Sequence, residues 1–358
     1  MVVSSRQTMK AVVINEFVNN FDEVKVSEIE RPIPTADQYL IQVKAAGVNF
    51  VDTLYAKGKH QNNRSLVRPP FILGLEFAGI ILSSPPASSF RPGDRVFGGS
   101  TGSYSEIISL DASTPLHHIP PKWTFAQAAG LAATLPVSFA ALVQAGIKHG
   151  QTVLIHAAAG GLGIMALQVA AAMGCRVIGT AGSSEKCDVA RQSGADVCIN
   201  YSEDAAWWDR VLELTDGQGV DVVFDPVGLV DRSLKCIAHR GKILIVGFAG
   251  IKDDMEKIAM NRVLLKQVSL IGYRNRLTWP SQRYGESLRR YPEEEKAIWD
   301  QLRPLMETDK IRPVIYHVEY PGLESVPRAL KDMTGRKIWG KAVVTLDDDI
   351  SGQPLTKL

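Results

Sequence analysis

The rhythm of apolar positions changes at about residue 125. Before that point, short apolar runs follow one another at 10–14, 24–29, 39–44, 77–82, 95–97 and 104–108. Pro32, Pro34, Pro85-Pro86 and Arg91-Pro92-Gly93-Asp94 punctuate them as turns. No helix-length periodicity is visible, so this third is predicted to be β-rich. His117-His118, close to Pro115 and Pro120-Pro121, is predicted to lie in a loop. Beyond residue 125, Ala-rich helical stretches alternate with short Val/Ile runs at 153–156, 177–180, 197–200, 220–224, 242–246 and 268–271. Strands separated by helix-length segments predict right-handed βαβ units and a parallel sheet. Six of them complete a doubly wound domain, so the fold class is α/β. Residues 280–333 are charged and helical in parts, with Arg289-Arg290 beside Glu293-Glu294-Glu295 as a solvated face. A last strand at 341–345 precedes an acidic tail.

One junction in this pattern carries chemistry. The run Val153-Leu154-Ile155-His156 ends in Ala157-Ala158-Ala159-Gly160-Gly161-Leu162-Gly163, and a helix is predicted over 164–173. Strand, small-residue turn, helix and strand form the phosphate-binding half of a dinucleotide fold. Small residues let backbone amides approach a pyrophosphate, and the helix start offers a positive dipole end.

Composition changes the picture little. The 358 residues are 45% hydrophobic and 22% charged, with a net charge of +2. That is enough chain for two cores, and it gives no basic field for nucleic acid. No apolar run approaches the length of a membrane span. Residues 1–10 lack the apolar core of a signal peptide, and Met9 is an alternative start. Cys175, Cys187, Cys198 and Cys236 show no C-x-x-C spacing and read as reduced thiols, so a cytoplasmic location is expected. The seven histidines form no H-x-x-x-H pair, which speaks against zinc.

The order of motifs resembles a known family. Gly47-Val48-Asn49-Phe50-Val51-Asp52, Leu73-Gly74-Leu75-Glu76-Phe77-Ala78-Gly79, Pro92-Gly93-Asp94-Arg95-Val96 and the Ala/Gly turn are similar to the medium-chain dehydrogenases/reductases. Over residues 9 to 346 the likeness is greatest to the zinc-independent, zeta-crystallin-like NADPH:quinone oxidoreductases. The resemblance implies a GroES-like β-barrel catalytic domain, an inserted Rossmann cofactor domain and an active site in the cleft between them. The implied boundaries are residues 1–133 for the catalytic domain, 134–278 for the Rossmann domain, 279–346 for the catalytic return and 347–358 for a frayed tail.

The same resemblance places candidate residues. Zinc-using relatives hold their metal with side chains at the positions of Asn49 and Leu75, and neither residue type makes a zinc site. No metal is therefore expected. Without a Lewis acid, the favoured chemistry is hydride transfer to an electron-poor acceptor, a quinone or a conjugated carbonyl. The dinucleotide turn aligns as Ala158-x-Gly160-x-x-Gly163, with Gly161 and Leu162 inside it. The second strand ends in Thr180-Ala181-Gly182-Ser183-Ser184 without an acid, and Lys186 follows. Hydroxyls plus a cation suit a 2′-phosphate, so NADPH is the expected cofactor; Glu185 opposes this if it points inward. Tyr201, Val227, Gly228, Gly247 and Phe248 follow the third, fourth and fifth strands and complete the implied cofactor set, with Thr134 beside the nicotinamide. Arg336 and Lys341 stand where the family brings a late basic residue to the cofactor.

Asn49 is the leading catalytic candidate, either binding the nicotinamide ribose or holding the acceptor oxygen; a buried amide tying its own loop is the bland alternative. Tyr55 is the second candidate. The family tyrosine falls one place earlier, at Leu54, and a one-residue shift on a helix turns a side chain by about 100°. Residues 58–70, with Lys59, His60, Arg64 and Arg68, are implied to line the cleft mouth. Two other functions stay open: an enoyl-thioester reductase of the same fold, and a nucleotide-sensing RNA-binding protein, against which the near-neutral charge argues. A homodimer through the edge strand at 268–273 is implied, and Thr356-Lys357-Leu358 only faintly resembles a peroxisomal signal.

Overall fold

A computed structural model describes residues 8–60, 68–250, 256–273 and 293–346. They fall into two compact units, 8–133 with 313–346 and 134–273 with 293–312.

The first unit is antiparallel β structure. The long strand Gln38–Gly47 pairs with Glu76–Ser83, with Ile107–Asp111 and with the returning strand Val343–Thr345. Arg95–Gly99 and Leu116–His118 extend this sheet, and Val26–Glu30, Thr8–Ile14 and Phe71–Ile72 form a second, three-stranded one. The loop expected at His117-His118 is therefore a strand: His117 pairs with Phe97 and tilts against its ring at 5.3 Å. A seven-residue helix, Phe50–Ala56, interrupts the β structure. Gly79 shows how closely the strands pack, because a Cβ there would meet the carbonyl oxygen of Gln42 at 2.1 Å.

The second unit is built on a six-stranded parallel sheet. Its order is Val197–Asn200, Arg176–Ala181, Thr152–Ile155, Val220–Asp225, Ile237–Ile245, Ser269–Gly272. Counting strands within this unit gives 3-2-1-4-5-6, the doubly wound order whose ligand crevice lies at the carboxyl ends of strands 1 and 4. Val153, Leu154, Val223 and Phe224 are fully buried, as strands covered on both faces require. Helix Gly161–Ala172 is buried along Gly163–Ala170 without a polar face, which suits an inner helix. Segment 293–312 was expected with the return to the first domain and groups instead with this unit. Gln168 ties the end of that segment to this unit: its amide Nε2 donates to the Arg312 carbonyl at 3.0 Å, and its Oε1 accepts the Arg312 N–H at 2.7 Å.

Candidate active site

In the second unit the first strand runs into a turn with almost no side chains. The Ala158 N–H donates to the Thr180 carbonyl at 3.0 Å, and the Gly160 N–H to the Ala157 carbonyl at 2.8 Å. Gly160 then starts helix Gly161–Ala172, and no side chain caps it. Its leading N–H groups are the donors an anion takes. Gly163 serves packing: a Cβ would lie 2.2 Å from the Ala157 carbonyl oxygen and 2.8 Å from Ala158 Cα. Both contacts are backbone, so nothing can rotate away.

Beneath this turn lies a residue the sequence reading did not single out. His156 is fully buried, with Nδ1 2.9 Å from Thr180 Oγ1 and Nε2 2.9 Å from Ser233 Oγ. Ser233 gives its one hydroxyl proton to the Leu229 carbonyl at 2.7 Å, so Nε2–H is the donor and Nδ1 accepts from Thr180. Burial lowers the imidazole pKa, against a smaller raising effect of the Asp225 charge. The neutral ring joins the ends of strands 1 and 2 to the helix Val230–Cys236.

The other expected cofactor residues gather at the same sheet ends. Asp225, fully buried, accepts the N–H groups of Val227 and Gly228 on Oδ1 at 2.8 and 2.9 Å, which fixes that turn. Gly247 packs on Pro226, where a Cβ would come 3.1 Å from its carbonyl oxygen, and Phe248 is exposed beside it. Ser183 caps helix Ser184–Gln192 by accepting the Lys186 N–H at 3.3 Å, leaving its own hydroxyl proton to donate. Lys186 is half-buried. The Tyr201 ring lies against Gly182, where a Cβ would stand 2.6 Å from the phenol oxygen. An acid does reach this corner: Glu203 accepts from Asn200 Nδ2 at 2.7 Å and from Ser184 Oγ at 3.2 Å. It comes from the loop after the third strand, so the end of the second strand gave no sign of it. Thr134 is buried at the head of helix Leu135–Ala145 and its hydroxyl does not cap that helix.

In the first unit, residues far apart in the chain converge on a buried polar cluster. Asn49 heads helix Phe50–Ala56, and Asp52 accepts its backbone N–H at 2.8 Å. Asn49 Nδ2 donates to Glu76 Oε1 at 2.9 Å, and Lys341 Nζ donates to Asn49 Oδ1 at 2.6 Å. Lysine has only donors and a carboxylate only acceptors, so these partners fix which way the amide points. Lys341 also forms an ion pair with Glu76 Oε1, while Glu76 Oε2 accepts the Ala133 N–H at 2.8 Å. Tyr104 donates its hydroxyl to Asp52 Oδ2 at 2.8 Å. Asp52 Oδ1 is buried without a partner. The Asp52 pKa is raised to about 7, chiefly by burial, with the Asn49 and Tyr104 hydrogen bonds and Lys341 opposing the rise. Burial likewise pushes the Tyr104 phenol well up.

Thus Asn49 and Lys341, two expected site residues, are brought into direct contact. Tyr55 and Arg336 are not part of this cluster. Tyr55 is buried in the apolar core and stacks on His60 at 4.5 Å, so the one-residue shift from Leu54 takes it inward. Arg336 is exposed on a left-handed backbone with φ of 55°. Most of residues 58–70 expected at a cleft mouth lie outside the described residues, as do Arg289-Arg290 and Thr356-Lys357-Leu358. Asp52, Glu76 and Tyr104 were missed as functional groups. The Asn49-x-x-Asp52 spacing, an N-cap paired with an acid three residues on, was the one local signal for them.

Comparison with known proteins bears on the family and the fold. Residues 35–121 match the alcohol dehydrogenase GroES-like domain family, and residues 161–290 match the family described as zinc-binding dehydrogenase. A quinone oxidoreductase of Sus scrofa is 34% identical over 328 residues, covering 89% of this chain and 92% of that protein. The Escherichia coli quinone oxidoreductase crystallised with NADPH superposes with a TM-score of 0.78 at 28% identity, covering 94% of this chain and all of that one (100%). The CurK enoyl reductase superposes at 0.77 with 25% identity, covering 95% of this chain and 100% of its own.

Proposed function

This chain belongs to the quinone oxidoreductase branch of the medium-chain dehydrogenase/reductase superfamily, and from that premise we propose that it reduces quinones or other electron-poor conjugated carbonyls with NADPH, without zinc. The observation that carries the reading is the uncapped start of helix Gly161–Ala172 behind a turn of alanines and glycines. Those backbone donors fit a pyrophosphate, and no side chain caps them. The residues that would hold the cofactor are Ala158, Gly160, Gly161, Leu162 and Gly163 at the pyrophosphate, Ser183, Lys186 and Tyr201 at the adenosine end, and Val227, Gly228, Gly247, Phe248 and Thr134 along its length.

Bound there, the reduced nicotinamide supplies the hydride. Asn49 has its NH₂ group engaged by Glu76 and, at 3.4 Å, by the Gly47 carbonyl, so its remaining capacity is on Oδ1. That oxygen is proposed to accept a hydrogen bond from a hydroxyl, such as one of a ribose, rather than to hold an acceptor carbonyl. Lys341 and Glu76 keep the amide in that orientation. Because Asn49 and Leu75 replace side chains that hold zinc in relatives, orientation in place of Lewis-acid activation is the protein's part in the chemistry.

Lys186 is the residue proposed to separate NADPH from NADH. Lys186→Ala is expected to weaken NADPH binding about tenfold, as loss of a charge-assisted hydrogen bond does, and to leave NADH binding unchanged. Equal loss for both nucleotides in fluorescence titrations would remove Lys186 from the 2′-phosphate site. Similarity to an enoyl reductase keeps a second acceptor class in view. The deciding assay offers a para-quinone and an enoyl thioester side by side; faster turnover of the thioester would replace the quinone reading.

The chain is proposed to act as a cytoplasmic homodimer. Among the described residues, strand Ser269–Gly272 ends its sheet, and Leu264 and Leu265 next to it are 76% and 73% exposed. Sedimentation of Leu265→Glu as a dimer indistinguishable from the unmodified protein would contradict a dimer through this edge. All four cysteines are unpaired, as a reducing compartment allows. No described helix is long and apolar enough to cross a membrane.

A further inference from the structure

The second and third strands of the second unit end side by side, because Ala181 pairs with Asn200 in parallel register. The chain then turns sharply. Glu203 and Asp204 both donate their N–H groups to the Asn200 carbonyl, at 3.1 and 3.0 Å, and the Ser202 N–H donates to Asn200 Oδ1 at 3.1 Å. An asparagine accepting from the backbone two residues on closes such a turn. The turn is also held to the second strand. The Tyr201 N–H donates to the Ala181 carbonyl at 3.0 Å, and the Ser202 hydroxyl to the Gly182 carbonyl at 2.9 Å. The Glu203 carboxylate is thereby delivered to the start of helix Ser184–Gln192. There one oxygen, Oε1, occupies two donors, the Ser184 hydroxyl at 3.2 Å and Asn200 Nδ2 at 2.7 Å. Ser183 accepts from the Lys186 N–H and keeps its own hydroxyl proton to give, whereas those of Ser184 and Ser202 are already committed.

We propose that Glu203 is a specificity-determining residue that works against NADPH: it holds the Ser184 hydroxyl and places a negative charge at the corner proposed for the 2′-phosphate, and so limits the preference that Lys186 and Ser183 create. The inference rests on the proposed placement of the adenosine end at Ser183, Lys186 and Tyr201. The physical basis is competition. A carboxylate and a phosphate are both anionic acceptors, so they claim the same donors and repel each other. NADH carries a neutral ribose hydroxyl in place of the phosphate, and a hydroxyl both donates and accepts, so the carboxylate does not oppose it. Folds that use NAD place such an acid at the end of the second strand. Here that strand ends in Ala181 without one, and the acid arrives from the turn after the third strand.

Glu203→Gln tests this, because it removes the charge and leaves an amide oxygen for Ser184 and Asn200. The side chain is exposed, so the substitution spares the core. Kd for NADPH and for NADH is measured on the full chain by nicotinamide fluorescence, in the unmodified protein and in Glu203→Gln. At low salt NADPH is expected to bind Glu203→Gln about fivefold more tightly than the unmodified protein, as removal of a solvent-screened like charge allows, while NADH changes less than about twofold. The gain shrinks at about 1 M salt, where the screening length falls to about 3 Å. A ratio Kd(NADH)/Kd(NADPH) that is the same in both proteins overturns the proposal; this includes both nucleotides shifting together, as a merely loosened turn would produce. A gain that salt does not diminish also overturns it, since charge would not be the cause. Binding of neither nucleotide by either protein overturns instead the dinucleotide reading on which the inference rests.

Discussion

Lys341→Met is expected to lower the free energy of unfolding by about 3–5 kcal/mol at pH 7, the cost of leaving a buried charge without its partner. The reason lies in the cluster, not in the lysine itself. Lys341 is the cation beside two fully buried acids, and it also holds Asn49 Oδ1. Methionine fills most of the same volume, so lost packing contributes little. Glu76→Gln in the same chain tests the cause. With the Glu76 charge removed, the uncompensated anion is gone, and the double variant is expected to recover most of the loss. Equilibrium denaturation of the four species gives the coupling energy directly. A double variant no more stable than Lys341→Met would mean that the ion pair is not what the lysine provides.

The second large effect depends on pH. Folding raises the Asp52 pKa from 3.8 to about 7. Between those values the folded protein keeps a proton that the unfolded chain has released. The stability linked to that proton is complete below the unfolded pKa and is lost as pH rises through the folded one. Asparagine cannot ionise. Asp52→Asn is therefore expected to match the unmodified protein near pH 4 and to exceed it above pH 7, by up to about 4 kcal/mol at pH 8.5. Other acids titrate in both proteins, so the difference between the two curves isolates Asp52. Denaturant midpoints measured from pH 4 to 8.5 show the divergence; parallel curves would mean that Asp52 is ionised throughout.

The parallel sheet was readable from sequence because its strands are covered on both faces. Runs such as Val153-Leu154-Ile155 then show an unbroken apolar stretch between helix-length segments. Leu116–His118 gave no such signal. It has three residues, two of them histidines, and its strand character comes from pairing with Arg95–Gly99. Helix Phe50–Ala56, at seven residues, is too short for a helical period to stand out. The pattern of 293–307 does suggest a helix, but no pattern says what a helix packs on, and its neighbour is the helix Leu135–Ala145, far away in the chain.

The site divides in the same way. The dinucleotide turn is contiguous, so its small residues were visible together. The polar cluster draws on positions 49, 52, 76, 104 and 341, and apart from the Asn49–Asp52 pair its contacts exist only once the sheet has formed. Asn49 and Lys341 were found through the family resemblance, which did not reveal that they touch. Glu203 was missed for the same reason, since Ser184 lies 19 residues before it.

The account's central claim is NADPH-dependent quinone reduction without zinc. It is tested most directly by steady-state oxidation of NADPH and NADH with a para-quinone, before and after exhaustive dialysis against a metal chelator. The account predicts turnover with NADPH, far slower turnover with NADH, and no change after chelation. Activity that disappears with the metal and returns with added zinc, or equal rates with both nucleotides, would contradict it.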